Sequence, residues 1–210
     1  MQTLIEHQTL PKRFQDEGLS VLFSPAADLG ISYVEQLVGK SRQSHIQEFE
    51  GPEDIGTVQV PGRFRSIEDY QRWAASKERF MFLLINEHRL VGPGATPELG
   101  GISWFGSREH QHAPGRTVTF AMRNYAADVQ HNWGQYSGRG LAAPFMQIAH
   151  QSARNIFAGE KLWLDLVAGN EASRKMCINA GYRELIRFDD DDHNGQTRVV
   201  MVNDTALLEG

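Results

Sequence analysis

A chain of 210 residues with 21 Lys plus Arg against 26 Asp plus Glu has a formal charge of −5, which excludes a globally basic surface for nucleic acid. Its 40% hydrophobic and 22% charged residues suit one globular domain over 1–210 and exclude a disordered or fibrous chain. The lone Cys177 excludes an internal disulfide and any metal site built on two cysteines of one chain. No apolar run approaches the roughly 20 residues that span a bilayer, and residues 1–13 lack the apolar core of a secretory signal. A cytoplasmic protein with neither a membrane nor a nucleic-acid partner is expected.

In chain order, residues 19–23 read as a strand ending at Ser24-Pro25. From Asp28 an amphipathic helix follows, with Leu29, Tyr33, Leu37 and Val38 on one face and Gly39 as its stop. Residues 41–65 lack sustained periodicity and read as a loop insertion, with room for a short helix near 44–49. Ser66-Ile67-Glu68-Asp69 fits a capping box, opening a helix that buries Ile67, Tyr70, Trp73 and Ala74. A strand over 79–85 is expected to turn at Asn86-Glu87 toward Arg89-Leu90-Val91.

Residues 92–97 read as a loop, 98–105 as a strand, 106–116 as a polar loop and 117–125 as an alternating strand. Residues 126–134 are polar and irregular, a second insertion. A helix over 141–157, a strand over 161–167 and a helix over 172–179 closed by Gly181 come next. Strands 183–188 and 197–202 form a hairpin, with Asn194-Gly195 supplying the turn. The fold class is α+β: a mixed, mostly antiparallel sheet flanked by helices, with one parallel step across helix 141–157.

Gln135-Tyr136-Ser137-Gly138-Arg139-Gly140 stands directly before that helix. Two glycines permit a tight turn and close backbone approach, and the helix start adds N–H donors and partial positive charge. Arg139 adds a full charge, so the loop suits a pyrophosphate, unless it is only a Gly-rich connector. Pro144 places the helix start at Leu141. Gly138-x-Gly140-x-x-Ala143 also matches a dinucleotide fingerprint, but residues 128–134 cannot form the buried strand that fingerprint needs.

A second block follows the strand 161–167: Asn170, Ser173, Gly181 and Tyr182, in the pattern N-x-x-S followed by G-Y. Together the two ordered blocks resemble the GNAT N-acetyltransferase superfamily, in which Q/R-x-x-G-x-G/A precedes a helix, a strand and N-x-x-A/S. The resemblance covers about 117–202, the CoA-binding core. It implies acetyl-CoA as co-substrate and acetyl transfer to a primary amine, small-molecule or peptide, in a ternary complex. Gln135, Tyr136, Ser137, Gly138, Arg139, Gly140 and Leu141 would hold the pyrophosphate. The strand edge at Met122, Arg123 and Asn124 would pair with the pantetheine amides, and Asn170 and Ser173 would contact the pantetheine or adenosine side. The parallel strands 117–125 and 161–167 would splay to admit the thioester.

In one branch of the superfamily a Glu five residues before the Asn is the base and a Tyr seven residues after it the acid. Asp165 and Cys177 stand at those positions here. Cys177 is either a proton donor to the leaving thiolate or a packing residue beside Met176 and Ile178. Asp165 is either a base or the partner of a nearby arginine. His110 and His112 beside Glu109 lack further ligands, so no metal is expected. Asp189 to Asp192 with His193 either draw a cationic acceptor or form a solvated hairpin tip. A non-catalytic acyl-CoA-binding module is the alternative function, and a homodimer is left open.

Overall fold

The computed structural model describes residues 9–41, 64, 66–75, 79–108, 111–112, 117–124, 139–157, 160–190 and 195–203. Pro11 stands at the N-cap of a one-turn helix, α1 (Lys12–Gln15), whose Phe14 is buried. Then come β1 (Leu19–Pro25), α2 (Ile31–Ser41), α3 (Ile67–Ala75), β2 (Arg79–Val91), β3 (Thr96–Arg108) and β4 (Thr117–Asn124). The chain continues through α4 (Ala142–Ile156), β5 (Leu162–Val167), α5 (Glu171–Asn179), β6 (Arg183–Asp190) and β7 (Gln196–Asn203).

The strands form one sheet in the order β1-β2-β3-β4-β5-β7-β6. All neighbours are antiparallel except β4 and β5, which run parallel. Parallel neighbours need a long crossover, and α4 lies within it. The expected mixed, mostly antiparallel α+β architecture with a single parallel step is therefore present.

Alternation along β2 divides its apolar residues between two cores, and Trp163, Val200 and Val202 of β5 and β7 form a third, smaller cluster. On β2, Phe82 and Leu84 join the core formed with Phe14 of α1, Phe145 and Ala149 of α4, and Cys177 of α5. Met81, Leu83 and Ile85 join the other, with Val34 and Leu37 of α2 and Tyr70 and Trp73 of α3. Phe64, 1% exposed, sits at 5.0 Å centroid distance from both Tyr70 and Trp73, tying the second core together. Each such fully buried large side chain contributes roughly 1.5–3 kcal/mol. Among the described residues no helix is long and apolar enough to cross a membrane.

Several local expectations are met. The Ser66 hydroxyl accepts from Asp69 N at 3.2 Å, capping α3. Gly181 (φ +87°) follows α5, and Gly195 (φ +64°) lies in the β6–β7 hairpin, where Gly195 N donates to Asp190 O at 3.0 Å.

Others are corrected. Asn86-Glu87 is not a turn: β2 runs through it to Val91, and the irregularity is a register shift between Asn86 and Leu90. The Asn86 side chain accepts from His88 N at 3.0 Å, and Glu87 N donates to Gly18 O at 2.8 Å. Those bonds satisfy the backbone without reversing the chain. Gly39 does not stop α2, which begins at Ile31 and continues to Ser41. Valine and leucine at 34, 37 and 38 hold that last turn on the core, offsetting glycine's weak propensity. Strand β3 also claims 106–108 from the expected loop. Of the expected loop 41–65, Ser41 belongs to α2 and Phe64 is buried, while residues 42–63 and 65, the insertion 126–134, Glu109, His110 and Asp191 to His193 lie outside the described residues.

Candidate functional site

Helix α4 starts without help from its own side chains. Leu141 occupies the N-cap (φ −78°, ψ −29°), its own side chain makes no cap, and the first turn holds no acidic residue. Pro144 falls within that turn, as expected. An α-helix leaves its first N–H groups without internal partners and carries a partial positive charge there. Gly140 immediately before it has φ +74°, a conformation that side chains strain to adopt. Such a helix start is the kind of position at which backbone donors meet an anion.

Two side chains from α1 and the turn after it reach this point, and no local sequence signal announced either. Arg13 Nη2 lies 3.5 Å from where a Cβ on Gly140 would stand. Glu17 accepts from the Arg139 guanidinium in an ion pair whose members are both 40% exposed. The 122-residue separation of that pair explains why the sequence did not reveal it. Of the expected pyrophosphate loop, Arg139, Gly140 and Leu141 are thus placed together, whereas Gln135, Tyr136, Ser137 and Gly138 lie outside the described residues.

The β4–β5 ladder consists of two pairs, Val118 with Leu162 and Thr119 with Trp163. Beyond them β4 stays on β3, where Met122, Arg123 and Asn124 oppose Ser103, Ile102 and Gly101. Strand β5 meanwhile stays on β7 to its end, Val167 opposite Arg198.

The N-terminus of α5 contrasts with that of α4. Asn170 caps it, its Oδ1 accepting from Ser173 N at 3.1 Å, and Glu171 lies in the first turn. Asn170 and Ser173 therefore already spend one polar group each on starting the helix.

Cys177 is 2% exposed within the core shared by α4, α5 and β5. Burial pushes its thiol up to about 12. Its carbonyl accepts from Ala180 N and Tyr182 N, both at 3.0 Å, closing the helix. Tyr182 in turn shares a buried 3.0 Å hydrogen bond with His150 of α4, a histidine that carried no signal in the sequence. Asp165 is engaged by Arg198, with Nη2 at 2.9 Å and Nε at 3.0 Å from its Oδ2. The same Arg198 Nε stands 3.7 Å from Asp190 Oδ2, so one guanidinium serves two carboxylates. Among the described residues no group of three or more His, Cys, Asp or Glu is placed to hold a metal.

No family model matches the chain, and no curated protein matches it by sequence. Solved structures do match by fold. Spermidine N-acetyltransferase from Vibrio cholerae, in complex with CoA and spermine, aligns with TM-score 0.60 at 14% identity over 87% of this chain and 94% of that one. A GNAT-family acetyltransferase from Bacillus anthracis aligns with TM-score 0.57 at 14% identity over 89% of this chain and 94% of that one. Aminoglycoside N(6')acetyltransferase from Legionella pneumophila aligns with TM-score 0.57 at 16% identity, over 87% and 91%. The chain has the fold of the GNAT acetyltransferases.

Proposed function

We propose that this chain is an acetyl-CoA-dependent N-acetyltransferase acting on a primary amine by direct attack within a ternary complex. The observation that carries the reading is the start of α4: an N-terminus with leucine at the N-cap after a positive-φ glycine, beside Arg139 and Arg13, in a GNAT fold. That start lies in the crossover joining β4 to β5, the parallel pair whose ladder holds only two residue pairs. The diphosphate of CoA would lie on the α4 start. The pantetheine amides would extend along Met122 to Asn124 of β4, between it and β5, with Asn170 and Ser173 beside the arm.

The transfer asks for little more. The neutral amine forms a bond to the thioester carbonyl carbon, the carbonyl oxygen takes negative charge, and the carbon–sulfur bond breaks to release a thiolate. The ammonium proton leaves to solvent or base, and the thiolate takes one up. Backbone N–H groups aimed at the developing oxyanion supply the main stabilisation, and holding both substrates in one site supplies the rest. The burial of Cys177 supports its packing role over that of acid, and the engagement of Asp165 by Arg198 supports an ion-pair role over that of base.

Those two engagements also favour a second reading, an acyl-CoA-binding module without turnover. A screen of amines with acetyl-CoA, following free thiol release, separates the two. It begins with polyamines and aminoglycosides, the acceptor classes named for two of the fold neighbours. Amine-dependent thiol release supports transfer; CoA binding without release across the panel supports the module; binding of neither CoA nor acetyl-CoA overturns both.

A further inference from the structure

The geometry points to Arg13 as a contact for the diphosphate of the bound CoA, delivered to the α4 loop by the helix that precedes the sheet; this rests on the acyl-CoA reading above. Three observations converge. First, Arg13 Nη2 stands 3.5 Å from the position a Gly140 side chain would take, so the guanidinium meets a positive-φ residue directly before α4. Second, its placement is held. The neighbouring Phe14 is 2% exposed in the main core, and the Arg13 guanidinium carbon lies 4.5 Å from the Phe14 ring centroid. A solvent-exposed cation over a ring face gains roughly 0.5–1 kcal/mol, enough to bias the rotamer.

Third, the charges call for a dianion. Arg13, Arg139 and the start of α4 bring positive charge to one place, where Glu17 pairs with Arg139. A diphosphate complements two guanidiniums, which match its oxygens with paired donors. An N-terminal helix that does no more than cap the core would need Phe14 but not Arg13.

The test uses the full chain and calorimetric titration of CoA and of dephospho-CoA, which keeps the diphosphate but lacks the ribose phosphate. Loss of one charge-assisted contact at an exposed position predicts about tenfold weaker CoA binding for Arg13→Ala. The same fold-change is expected with dephospho-CoA, and the salt dependence of binding becomes shallower. Arg13→Lys recovers part of the affinity, and Lys12→Ala, one residue away and exposed, leaves it unchanged. The thermal midpoint of ligand-free Arg13→Ala falls by no more than about 4 °C, the loss of the Phe14 contact alone, which separates lost binding from lost structure. Parent-like CoA affinity in Arg13→Ala overturns the inference while leaving the acyl-CoA reading intact. A defect that vanishes with dephospho-CoA overturns the diphosphate assignment. A parent chain that binds no CoA removes the underlying reading and this inference with it.

Discussion

Tyr182 Oη and His150 Nε2 lie 3.0 Å apart in the main core, joining helix α4 to the residue just before strand β6. His150 is 8% exposed, and burial, with Arg154 as a second cause, lowers its pKa to about 4. The imidazole is therefore neutral at pH 7. As pH falls below about 6.5 the unfolded chain takes a proton that the folded chain refuses until about 4. Stability is fully present above about 6.5 and is lost through that window, by up to about 3 kcal/mol for this group. Urea unfolding at pH 7 and pH 4.5 measures it. His150→Gln, which cannot titrate, should show a shallower loss between the two pH values, and an identical slope in parent and variant would remove His150 as the cause.

Gly140→Val places a β-branched side chain where φ is +74°, with Arg13 Nη2 3.5 Å from its Cβ. Such backbone strain costs of order 1–3 kcal/mol. The expected outcome is a lower melting temperature and CoA binding weakened at least tenfold, because the side chain also fills the approach to the helix start. Gly140→Ala should sit between parent and Val in both respects. Parent-like CoA affinity in Gly140→Val, measured by titration, contradicts an anion site at this residue.

What was legible in the sequence was local. Ser66, Gly181 and Gly195 act within a few residues of themselves, so their caps and turns read directly from residue type. The parallel step was legible because helix 142–156 separates two apolar strands, and a crossover of that length permits parallel neighbours. Asn86-Glu87 misled because its turn-forming residues are satisfied by β1: Ser20 Oγ donates to Glu87 Oε1 at 2.6 Å, a contact 67 residues apart. Arg13 and Glu17 were illegible for the same reason, since their meaning depends on a loop more than 120 residues away. The capping role of Asn170 could have been read from Asn before a helix, but the family pattern drew notice to ligand contact instead.

Cys177→Ala separates packing from proton donation. A buried thiol removed from a core leaves a small cavity, and about 1–2 kcal/mol of stability should go with it. Turnover at temperatures well below the melting point should stay near the parent value, with an unchanged pH profile. A drop of 10²-fold or more, the scale of a lost general acid, would reinstate the thiol as the acid despite its burial.

Arg198 holds two carboxylates, and its side chain is only 14% exposed. Removing the cation takes an ion-pair partner from both Asp165 and Asp190, whereas removing one anion leaves Arg198 its other partner. Arg198→Met should therefore destabilise by about 2–4 kcal/mol and Asp165→Asn by distinctly less. If Asp165 serves the ion pair, Asp165→Asn also keeps turnover within a few-fold of parent, where loss of a base costs about 10²–10⁴-fold. Urea unfolding gives the first ordering, and thiol-release kinetics give the second.

Glu17 competes for Arg139 with any anion that binds at the start of α4. The pair is well exposed, so it adds little to stability, and Glu17→Gln should leave the melting temperature within about 2 °C of parent. Its effect on ligand binding has the opposite sign to that of Arg13→Ala. Releasing Arg139 from that carboxylate and removing a negative charge beside the diphosphate should tighten CoA binding several-fold at low ionic strength. The gain should shrink as salt rises, because exposed charges are screened beyond about 8 Å at physiological ionic strength. Titration of CoA at two salt concentrations checks both parts. Weaker binding in Glu17→Gln would mean that the carboxylate positions Arg139 for the ligand instead of competing with it.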